Sequence, residues 1–283
     1  MSDWQSWIGR TQQSHDRINA GLCARWLATL DRAGPADGTM PQGLHWCLCV
    51  PDSATSALGP DGHPLRDESA EGFLPPVPLP RRMWASSKVD FARPLMIGAE
   101  VSRKSTIVSV SAKTGSSGHL VFVNIGHETS CDGEVAVRET QTVVYRAAAA
   151  AGAGKVPPPP GDARIDLSDW RASRLAQPSE TLLFRFSALT FNSHRIHYDL
   201  PYATREEGYR GLVVHGPLTA TLLLDLAQAE LGDNALKSFS FRGLSPAICG
   251  EPLHLAMRGA DDVLELAAFA EDGRQVMAAT ASV

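Results

Sequence analysis

Four consecutive prolines, Pro157 to Pro160, follow an alanine- and glycine-rich run that begins at residue 147. Proline lacks a backbone N–H donor and favours a stiff, extended path, so neither a buried strand nor a regular helix can run through this segment. We therefore predict a linker at residues 148–165. It divides the 283 residues into an N-terminal unit (1–147) and a C-terminal unit (166–283), and this length suits two domains.

A short spacing pattern recurs in the two halves. Pro94 is followed after four residues by Gly98, and three residues later by an aliphatic residue; Pro246 and Gly250 repeat this arrangement in the second half. Proline and glycine punctuate any β protein, so chance is one explanation. The offset, about half the chain, favours an internal duplication.

The hydrophobic pattern indicates two units that each combine sheet and helix. The fold class is α+β with antiparallel sheets. A long Gly/Pro-rich stretch occupies 34–82, and residues 191–210 are expected to be irregular or partly helical. We predict helices at 5–30 and 218–231, and strands at 83–91, 106–112, 120–127, 135–146, 182–189, 236–242, 252–258, 263–270 and 275–282.

Composition restricts the possible partners and the location. The formal net charge is −5, which argues against a nucleic-acid partner, and no apolar run is long enough to span a bilayer. The first residues lack the features of a signal peptide, and the five cysteines are scattered, which suggests reduced thiols in a cytoplasmic protein. Cys47 and Cys49 have no second pair at zinc-finger spacing, so we predict no metal site.

The richest chemistry lies between residues 187 and 220. Asn192, His194, Arg195, His197 and Asp199 fall within eight residues, and a Val-Val-His-Gly-Pro sequence at 213–217 then opens an apolar helix. Unpaired N–H groups at a helix start favour developing negative charge. A base beside such a site is what addition of water to an activated double bond requires.

This segment resembles the motif of the MaoC-like enoyl-CoA hydratases, or hydratase 2 family, in which Asp-x-Asn-Pro-aliphatic-His is followed after five residues by Ala or Ser. Here Asn192, His194 and Arg195 stand at the positions of Asp, Asn and Pro, whereas His197 and Ala203 match. This version of the motif is similar to a subgroup that includes mesaconyl-C4-CoA and itaconyl-CoA hydratases. The resemblance implies a double hotdog fused in one chain, with two antiparallel sheets that each wrap a helix and a degenerate N-terminal unit.

The resemblance also assigns the catalytic residues. His197 is expected to act as base and acid, and the amide of Gly216 to bind the thioester oxygen. Asn192 replaces the family's acidic residue, and an amide is no base at neutral pH, so it is expected only to orient water. Either His197 works alone, or Asp199 or His194 takes the missing part.

Further residues are predicted to contact substrate. An arginine fork suits a free carboxylate, although Arg195 could instead form a salt bridge or contact the CoA phosphates. Asp199 could instead cap a helix, and His215 could only brace its loop. The predicted substrate-binding set is His194, Arg195, Asp199, His215, Arg82 and Trp84; His45, His63, His119 and His127 show no ligand spacing and are expected to be structural or exposed.

These observations predict a hydro-lyase that adds water to a short dicarboxylic enoyl-CoA, either itaconyl-CoA or mesaconyl-C4-CoA, and gives citramalyl-CoA. The alternatives are a 3-hydroxyacyl-thioester dehydratase of fatty-acid metabolism and a non-catalytic hotdog that binds acyl-CoA. The coherent polar set around His197 favours the enzyme. No cofactor is expected besides the CoA thioester substrate, and the resemblance leaves room for a homodimer.

Overall fold

The computed structural model describes residues 4–115, 118–148, 156–260 and 262–283, and residue 260 through its backbone alone. These described ranges contain ten strands and four α-helices. The elements are β1 Thr11–Arg17, α1 Ala20–Thr29, β2 Arg81–Phe91, β3 Glu100–Gly115, β4 Gly118–Cys131, β5 Glu134–Arg146, β6 Ala172–Ala176, α2 Glu180–Leu189, α3 Leu200–Arg205, α4 Gly216–Leu231, β7 Ser238–Gly243, β8 Leu253–Ala260, β9 Val263–Ala270 and β10 Gln275–Ser282. Single 3₁₀ turns lie at Trp4–Trp7, Leu44–Cys47, Thr55–Ala57 and Arg195–His197.

The strands form one antiparallel sheet in the order β1-β3-β4-β5-β2-β7-β10-β9-β8-β6. The first five positions come from the N-terminal half, and the last five come from the C-terminal half in mirrored order. The two halves meet where β2 pairs with β7, from Ser86 opposite Arg242 to Asp90 opposite Ser238. An approximate twofold axis therefore relates the two halves across this central pair.

The Pro/Gly repeat occupies equivalent positions in the two halves. Gly98 and Gly250 both have positive φ, of 101° and 83°. The amide of Gly98 donates to the carbonyl of Ile18 at 2.6 Å, and that of Gly250 donates to the carbonyl of Pro178 at 2.7 Å. Each bond ties the turn before the third strand to the loop before the first helix, as an internal duplication predicts.

Helix α4 is the centre of the C-terminal half. It is apolar on nearly every face, and ten consecutive residues, Leu218 to Ala227, are buried. Pro217 suits its first turn, and Gly232, with φ 98°, ends it. A long helix with no polar face is stable in water only when other elements surround it, and α4 packs against β8, β9, β10 and β2.

The two halves share one continuous core. Leu218 and Leu223 of α4 belong to the same cluster of buried side chains as Trp26 of α1 and Leu44 of the N-terminal half. The N-terminal half contributes a 3₁₀ turn, Leu44–Cys47, where the C-terminal half contributes α4. The sheet-around-helix arrangement is thus complete in the C-terminal half and reduced in the N-terminal half.

Two predicted elements are wrong. Residues 5–30 do not form one helix, because 11–17 form the edge strand β1 before α1 begins after its cap, Asn19. Residues 182–189 are not a strand but most of helix α2, whose buried face carries Leu183, Phe186 and Leu189 at helical spacing. The alternation that suggested a strand included Phe184, which is exposed.

The remaining predicted strands and the helix at 218–231 are confirmed, with boundaries that shift by a few residues. Part of the predicted linker, 149–155, lies outside the described residues. Beyond it, Val156 pairs with the C-terminal half, where its amide donates to the carbonyl of Gly208 at 3.0 Å. No helix in the described part of the chain combines the length and hydropathy that a membrane crossing needs.

Candidate active site

His197 is the last residue of the 3₁₀ turn that follows α2, and it is buried. Its Nδ1 lies 2.7 Å from the carbonyl oxygen of Val213, while the amide of Val213 donates to the carbonyl of Ile196 at 3.0 Å. Because a carbonyl only accepts, Nδ1 carries the proton and Nε2 keeps a lone pair. The backbone before α4 thus fixes His197 as a base that acts through Nε2.

The surroundings of His197 keep it uncharged. Its ring stacks on that of His215 with centroids 3.5 Å apart, and His194 lies edge-on at 5.4 Å. Burial, with a contribution from His194, lowers the pKa of His197 to about 3. At neutral pH His197 is therefore a neutral proton acceptor.

His215 braces this stack. Its Nε2 lies 2.9 Å from the hydroxyl of Ser187 on α2, and its ring also contacts Phe186. Burial lowers the pKa of His215 well below the ordinary value, and its Nδ1 is buried without a hydrogen-bond partner. These contacts favour the bracing role, in which His215 holds the His197 ring in place from beneath.

The N-terminus of α4 has no side-chain cap. Among the helices of the described ranges, α1, α2 and α3 are capped by Asn19, Ser179 and Asp199, each of which accepts from a backbone N–H of the first turn. At α4 the cap position is His215, and its side chain makes no such bond. The N–H of Gly216, which opens α4, is therefore available to an anionic group, whereas Pro217 has no N–H.

Gly216 also leaves the approach to this terminus open. A Cβ added there would meet only the carbonyl oxygen of Trp84, at an ordinary 3.8 Å, so packing alone does not demand glycine. The indole of Trp84 itself donates to the hydroxyl of Ser87 at 2.9 Å and packs against Phe241. Trp84 thus borders the site through its backbone, while its ring belongs to the core.

Asn192 shapes the turn that carries the histidines. Its Oδ1 accepts from the amide of His194 at 2.9 Å, and its own amide donates to the carbonyl of Ser187 at 2.9 Å. Within the described ranges its side-chain NH₂ has no protein partner. Asn192 can therefore hold the turn and still donate to a water molecule, so the water-orienting role stays a prediction.

Arg195 and Asp199 bind each other. The guanidinium donates through Nε and Nη2 to Asp199 Oδ2 at 3.0 and 2.7 Å, and Nη1 donates to the carbonyl of Pro60 at 2.8 Å. Asp199 also caps α3, and the guanidinium lies over the ring of Tyr202. Both residues were predicted to contact substrate, but these bonds already occupy them, so the geometry favours the structural alternatives for both.

Arg82 is an arginine whose charge acts on His194. It hydrogen-bonds with the side chain of Tyr145, and its charge helps to lower the pKa of His194, although burial is the main cause. The preceding Arg81 forms an ion pair with Glu207 at 2.9 Å. Arg82 has no carboxylate partner within the described ranges, so it remains available to an acidic substrate.

Sequence reasoning missed His63, which was expected to be structural or exposed. Its ring centroid lies 4.1 Å from that of His194, and its Nδ1 lies 2.9 Å from Asp61 Oδ2. Both residues come from the irregular segment of the N-terminal half. The Asp-Gly-His-Pro sequence at 61–64 marked a tight turn, but no spacing within the chain connected that turn to residue 194.

Asp61, His63 and His194 offer three donor atoms within 4.8 Å of one another, a spacing that could surround a metal ion. These three side chains are better suited to share a proton than to hold a metal ion. His63 Nδ1 and Asp61 Oδ2 are already joined by a hydrogen bond. Burial raises the pKa of Asp61, but bonds from the His63 side chain and amide outweigh it and hold the value below the ordinary range.

Three other histidines lie apart from this cluster. His45 is buried beside Trp46, His119 lies near the hydroxyl of Thr114, and His127 lies 2.8 Å from that of Ser105. Their positions agree with the structural or exposed roles that were predicted.

Comparison with known proteins places this geometry in a family. Residues 43–249 match the family described as "Hydroxyacyl-thioester dehydratase type 2". The chain is also 41% identical over 285 residues to a protein of Chloroflexus aurantiacus named "Mesaconyl-C(4)-CoA hydratase"; the match covers 99% of this chain and 97% of that protein.

Solved structures show the same fold. A "MaoC-like dehydratase" superposes with a TM-score of 0.74 at 16% identity, and the match covers 99% of this chain and 98% of that one. A Mycobacterium tuberculosis protein described as a double hotdog gives a TM-score of 0.57 at 14% identity, covering 97% and 96%. The predicted double-hotdog fold is confirmed, except that the two predicted sheets join into one and only the C-terminal half wraps a long helix. The chain belongs to the family of type 2 hydroxyacyl-thioester dehydratases.

Proposed function

We propose that this protein hydrates a short dicarboxylic enoyl-CoA, either mesaconyl-C4-CoA or itaconyl-CoA, to give citramalyl-CoA. The observation that carries the proposal is the neutral His197, with Nδ1 held by the Val213 carbonyl, beside the uncapped start of α4 at Gly216. A base and an anion site in this relation support addition of water to an enoyl thioester.

The chemistry follows from the positions of the groups. His197 Nε2 removes a proton from water, whose oxygen attacks the β-carbon of the thioester. The π electrons move toward the thioester oxygen, and the N–H of Gly216 stabilises the negative charge that develops there. Asn192 orients the water through its free NH₂ group. Protonation of the α-carbon completes the addition.

Two observations support a dicarboxylic substrate. The relative that matches nearly the whole chain is named for mesaconyl-C4-CoA. In addition, Arg82 lies near His194 and has no ion-pair partner within the described ranges. A guanidinium without a carboxylate partner suits the free carboxylate of such a substrate, which must be paired once it leaves water. Arg82 takes the role that Arg195 was expected to have.

The direct test is a spectrophotometric comparison of mesaconyl-C4-CoA, itaconyl-CoA and crotonyl-CoA, read as loss of enoyl-thioester absorbance. We expect kcat/KM to be highest for one of the two dicarboxylic substrates. Faster hydration of crotonyl-CoA would contradict the substrate class and favour the alternative that the family description supports, a 3-hydroxyacyl-thioester dehydratase. Absence of turnover on all three would favour the non-catalytic alternative.

A pair of arginine variants tests the carboxylate site. Loss of one charge-assisted contact at a partly buried site costs about 2–5 kcal/mol. We therefore expect Arg82→Ala to lower kcat/KM for the dicarboxylic substrate far more than for crotonyl-CoA. Arg195→Ala, the matched control, should affect both substrates equally, because Arg195 is bound to Asp199. If Arg82→Ala lowers kcat/KM equally for the two substrates, Arg82 does not bind the free carboxylate.

We also propose a cytoplasmic location, with which the free state of all five cysteines agrees. The homodimer stays a prediction, which light scattering coupled to size-exclusion chromatography would test.

A further inference from the structure

The site needs a second proton-transferring group. Hydration removes a proton from water and delivers one to the α-carbon. His197 is buried and neutral, which suits the removal, and the family's acidic residue is replaced by Asn192, whose amide cannot transfer a proton at neutral pH. Burial lowers the pKa of His194 to about 3, so it carries no proton to give at neutral pH, and Asp199 is bonded to Arg195. The delivery therefore calls for a group outside the motif.

A rigid turn of the N-terminal half lies at this place. The amide of Gly59 donates to the carbonyl of His63 at 2.7 Å, and the amide of His63 donates to Asp61 Oδ1 at 3.0 Å. Gly62 completes the turn with φ +87°, a conformation that favours glycine. The backbone and the aspartate side chain together fix the direction of the His63 ring.

The same turn is bonded directly to the catalytic segment. The amide of Arg195 donates to the carbonyl of Asp61 at 2.9 Å, and the hydroxyl of Ser193 donates to the carbonyl of Gly62 at 2.6 Å. The approach is so close that a Cβ on Gly62 would lie 1.9 Å from the carbonyl oxygen of Ser193. The contact thus admits only glycine, and it holds His63 in register with residues 193–195.

His63 continues the row of histidines that His197 begins. Ring centroids are 4.1 Å apart for His63 and His194, and 5.4 Å apart for His194 and His197. The side chain of His63 is 23% exposed, so a substrate can reach it. The ionisable groups that face His63 are Asp61 on its own turn and His194 and His197 on the catalytic segment.

We propose that His63 is the catalytic residue that delivers the proton to the α-carbon, and that Asp61 is its positioning residue. The inference rests on the proposed hydratase function and adds to it a residue from the N-terminal half. Asp61 accepts a hydrogen bond from His63 Nδ1 and so leaves Nε2 as the ring nitrogen that can exchange a proton with the substrate. The pair takes the place of the family's acidic residue.

The proton balance closes in two transfers. Water loses a proton to His197 Nε2 as its oxygen bonds to the β-carbon. The C=C π pair shifts toward the thioester, and the α-carbon then takes a proton from the His63 imidazolium as the C–H bond forms. His197 returns its proton to His63 through solvent water. The net change is addition of one H and one OH, and no oxidant or reductant is needed.

The test compares His63→Ala, His63→Gln and Asp61→Asn with the unmodified protein on mesaconyl-C4-CoA. General acid catalysis contributes at least about 10²-fold. We expect His63→Ala and His63→Gln to lower kcat by that factor with little change in KM, and Asp61→Asn to lower kcat by a smaller factor. The pH profile of kcat should lose one limb in both His63 variants, and added imidazole should restore part of the activity of His63→Ala.

The matched control is His254→Ala, which removes a histidine of β8 whose Nε2 lies 2.8 Å from Glu271. We expect this variant to keep the wild-type kcat. Wild-type kcat and pH profile in a folded His63→Ala protein would overturn the inference and leave the hydratase proposal intact. A loss of activity with an unchanged pH profile and no imidazole rescue would also overturn it, because that pattern indicates a structural role. An inactive unmodified protein would overturn the proposed function and this inference together.

Discussion

The two halves of the molecule enter their central segments in the same way and then diverge. In the C-terminal half the amide of Val214 donates to the carbonyl of Ala247 at 2.9 Å, and in the N-terminal half that of Met40 donates to the carbonyl of Leu95 at 2.7 Å. After Val214 the chain forms α4, a helix of 16 residues. After Met40 it forms only a 3₁₀ turn of four residues.

The N-terminal unit thus keeps the sheet and the core packing of the C-terminal unit although its central helix is shortened to a 3₁₀ turn. The long helix of the C-terminal half provides a buried scaffold and an uncapped N-terminus. The 3₁₀ turn of the N-terminal half still fills the core with Leu44 and Trp46. Beyond this turn the chain runs on to 59–63, where Asp61 and His63 meet the catalytic segment of the other half.

The largest expected effect comes from His197→Ala. Loss of the base should lower kcat/KM by at least about 10²-fold. Because His197 is buried and bonded to the Val213 carbonyl, rather than lying in a polar loop, we also expect a loss of about 1–3 kcal/mol in the free energy of unfolding. Enzyme assays and urea unfolding measure the two effects.

His127→Ala is the control for this variant. His127 is a half-buried histidine of the N-terminal half that lies 2.8 Å from the hydroxyl of Ser105. We expect its removal to lower stability and to leave kcat/KM unchanged. Comparable activity losses in folded His127→Ala and His197→Ala proteins would contradict the assignment of the base to the C-terminal half.

The contact between the halves can be broken at Gly62. A Cβ there would lie 1.9 Å from the Ser193 carbonyl oxygen, so Gly62→Ala must push the turn away from the catalytic segment. Gly133→Ala is the matched control, since Gly133 has a similar φ of +79° and open space around its Cα. Both variants should lose about 1–2 kcal/mol of stability through backbone strain.

Only Gly62→Ala should also lose activity, by about tenfold or more, because misplacement by about 1 Å can cost up to about 10²-fold. Steady-state kinetics of the two variants, alongside their urea unfolding, decide the point. Equal activities would mean that the turn at 59–63 does not help to build the site.

The pH dependence of stability should reflect the buried histidines. The pKa values of His194 and His197 are lowered to about 3, and that of His215 is lowered as well, mainly by burial; His45 and His127 in the N-terminal half are lowered to about 3 and about 4. Unfolding restores the ordinary value of 6.5. The unfolded chain therefore binds more protons below about pH 6.5, and stability falls as the pH falls.

Between about pH 7.5 and about pH 5.5 we expect a loss of about 1 kcal/mol for each fully buried histidine, measured by urea unfolding. Glu139 has the opposite effect. Burial raises its pKa, so its contribution to the free energy of unfolding is lost as the pH rises. His197→Gln should reduce the loss of stability over this pH range by the part that one buried histidine contributes, about 1 kcal/mol. Stability that is constant over this range would contradict neutral burial of the histidines.

Much of the fold could be predicted from the sequence, because period-two strands and the apolar α4 are encoded locally. Helix α2 was missed because its capping signal, Ser179, was outweighed by an apparent alternation from Leu182 onward. His197 could be found through its motif. His63 could not, because 131 residues separate it from His194 in the sequence, and only the fold brings the two rings to 4.1 Å.

The central claim is that the two halves build one catalytic unit, and a double-mutant cycle between His63 and His197 tests it most directly. The measurement is kcat/KM on mesaconyl-C4-CoA for the unmodified protein, His63→Ala, His197→Ala and the double variant. Residues that act as a unit show strongly non-additive losses. We predict that kcat/KM of the double variant is nearly the same as that of the less active single variant. A double variant whose loss equals the product of the two single losses would contradict the claim.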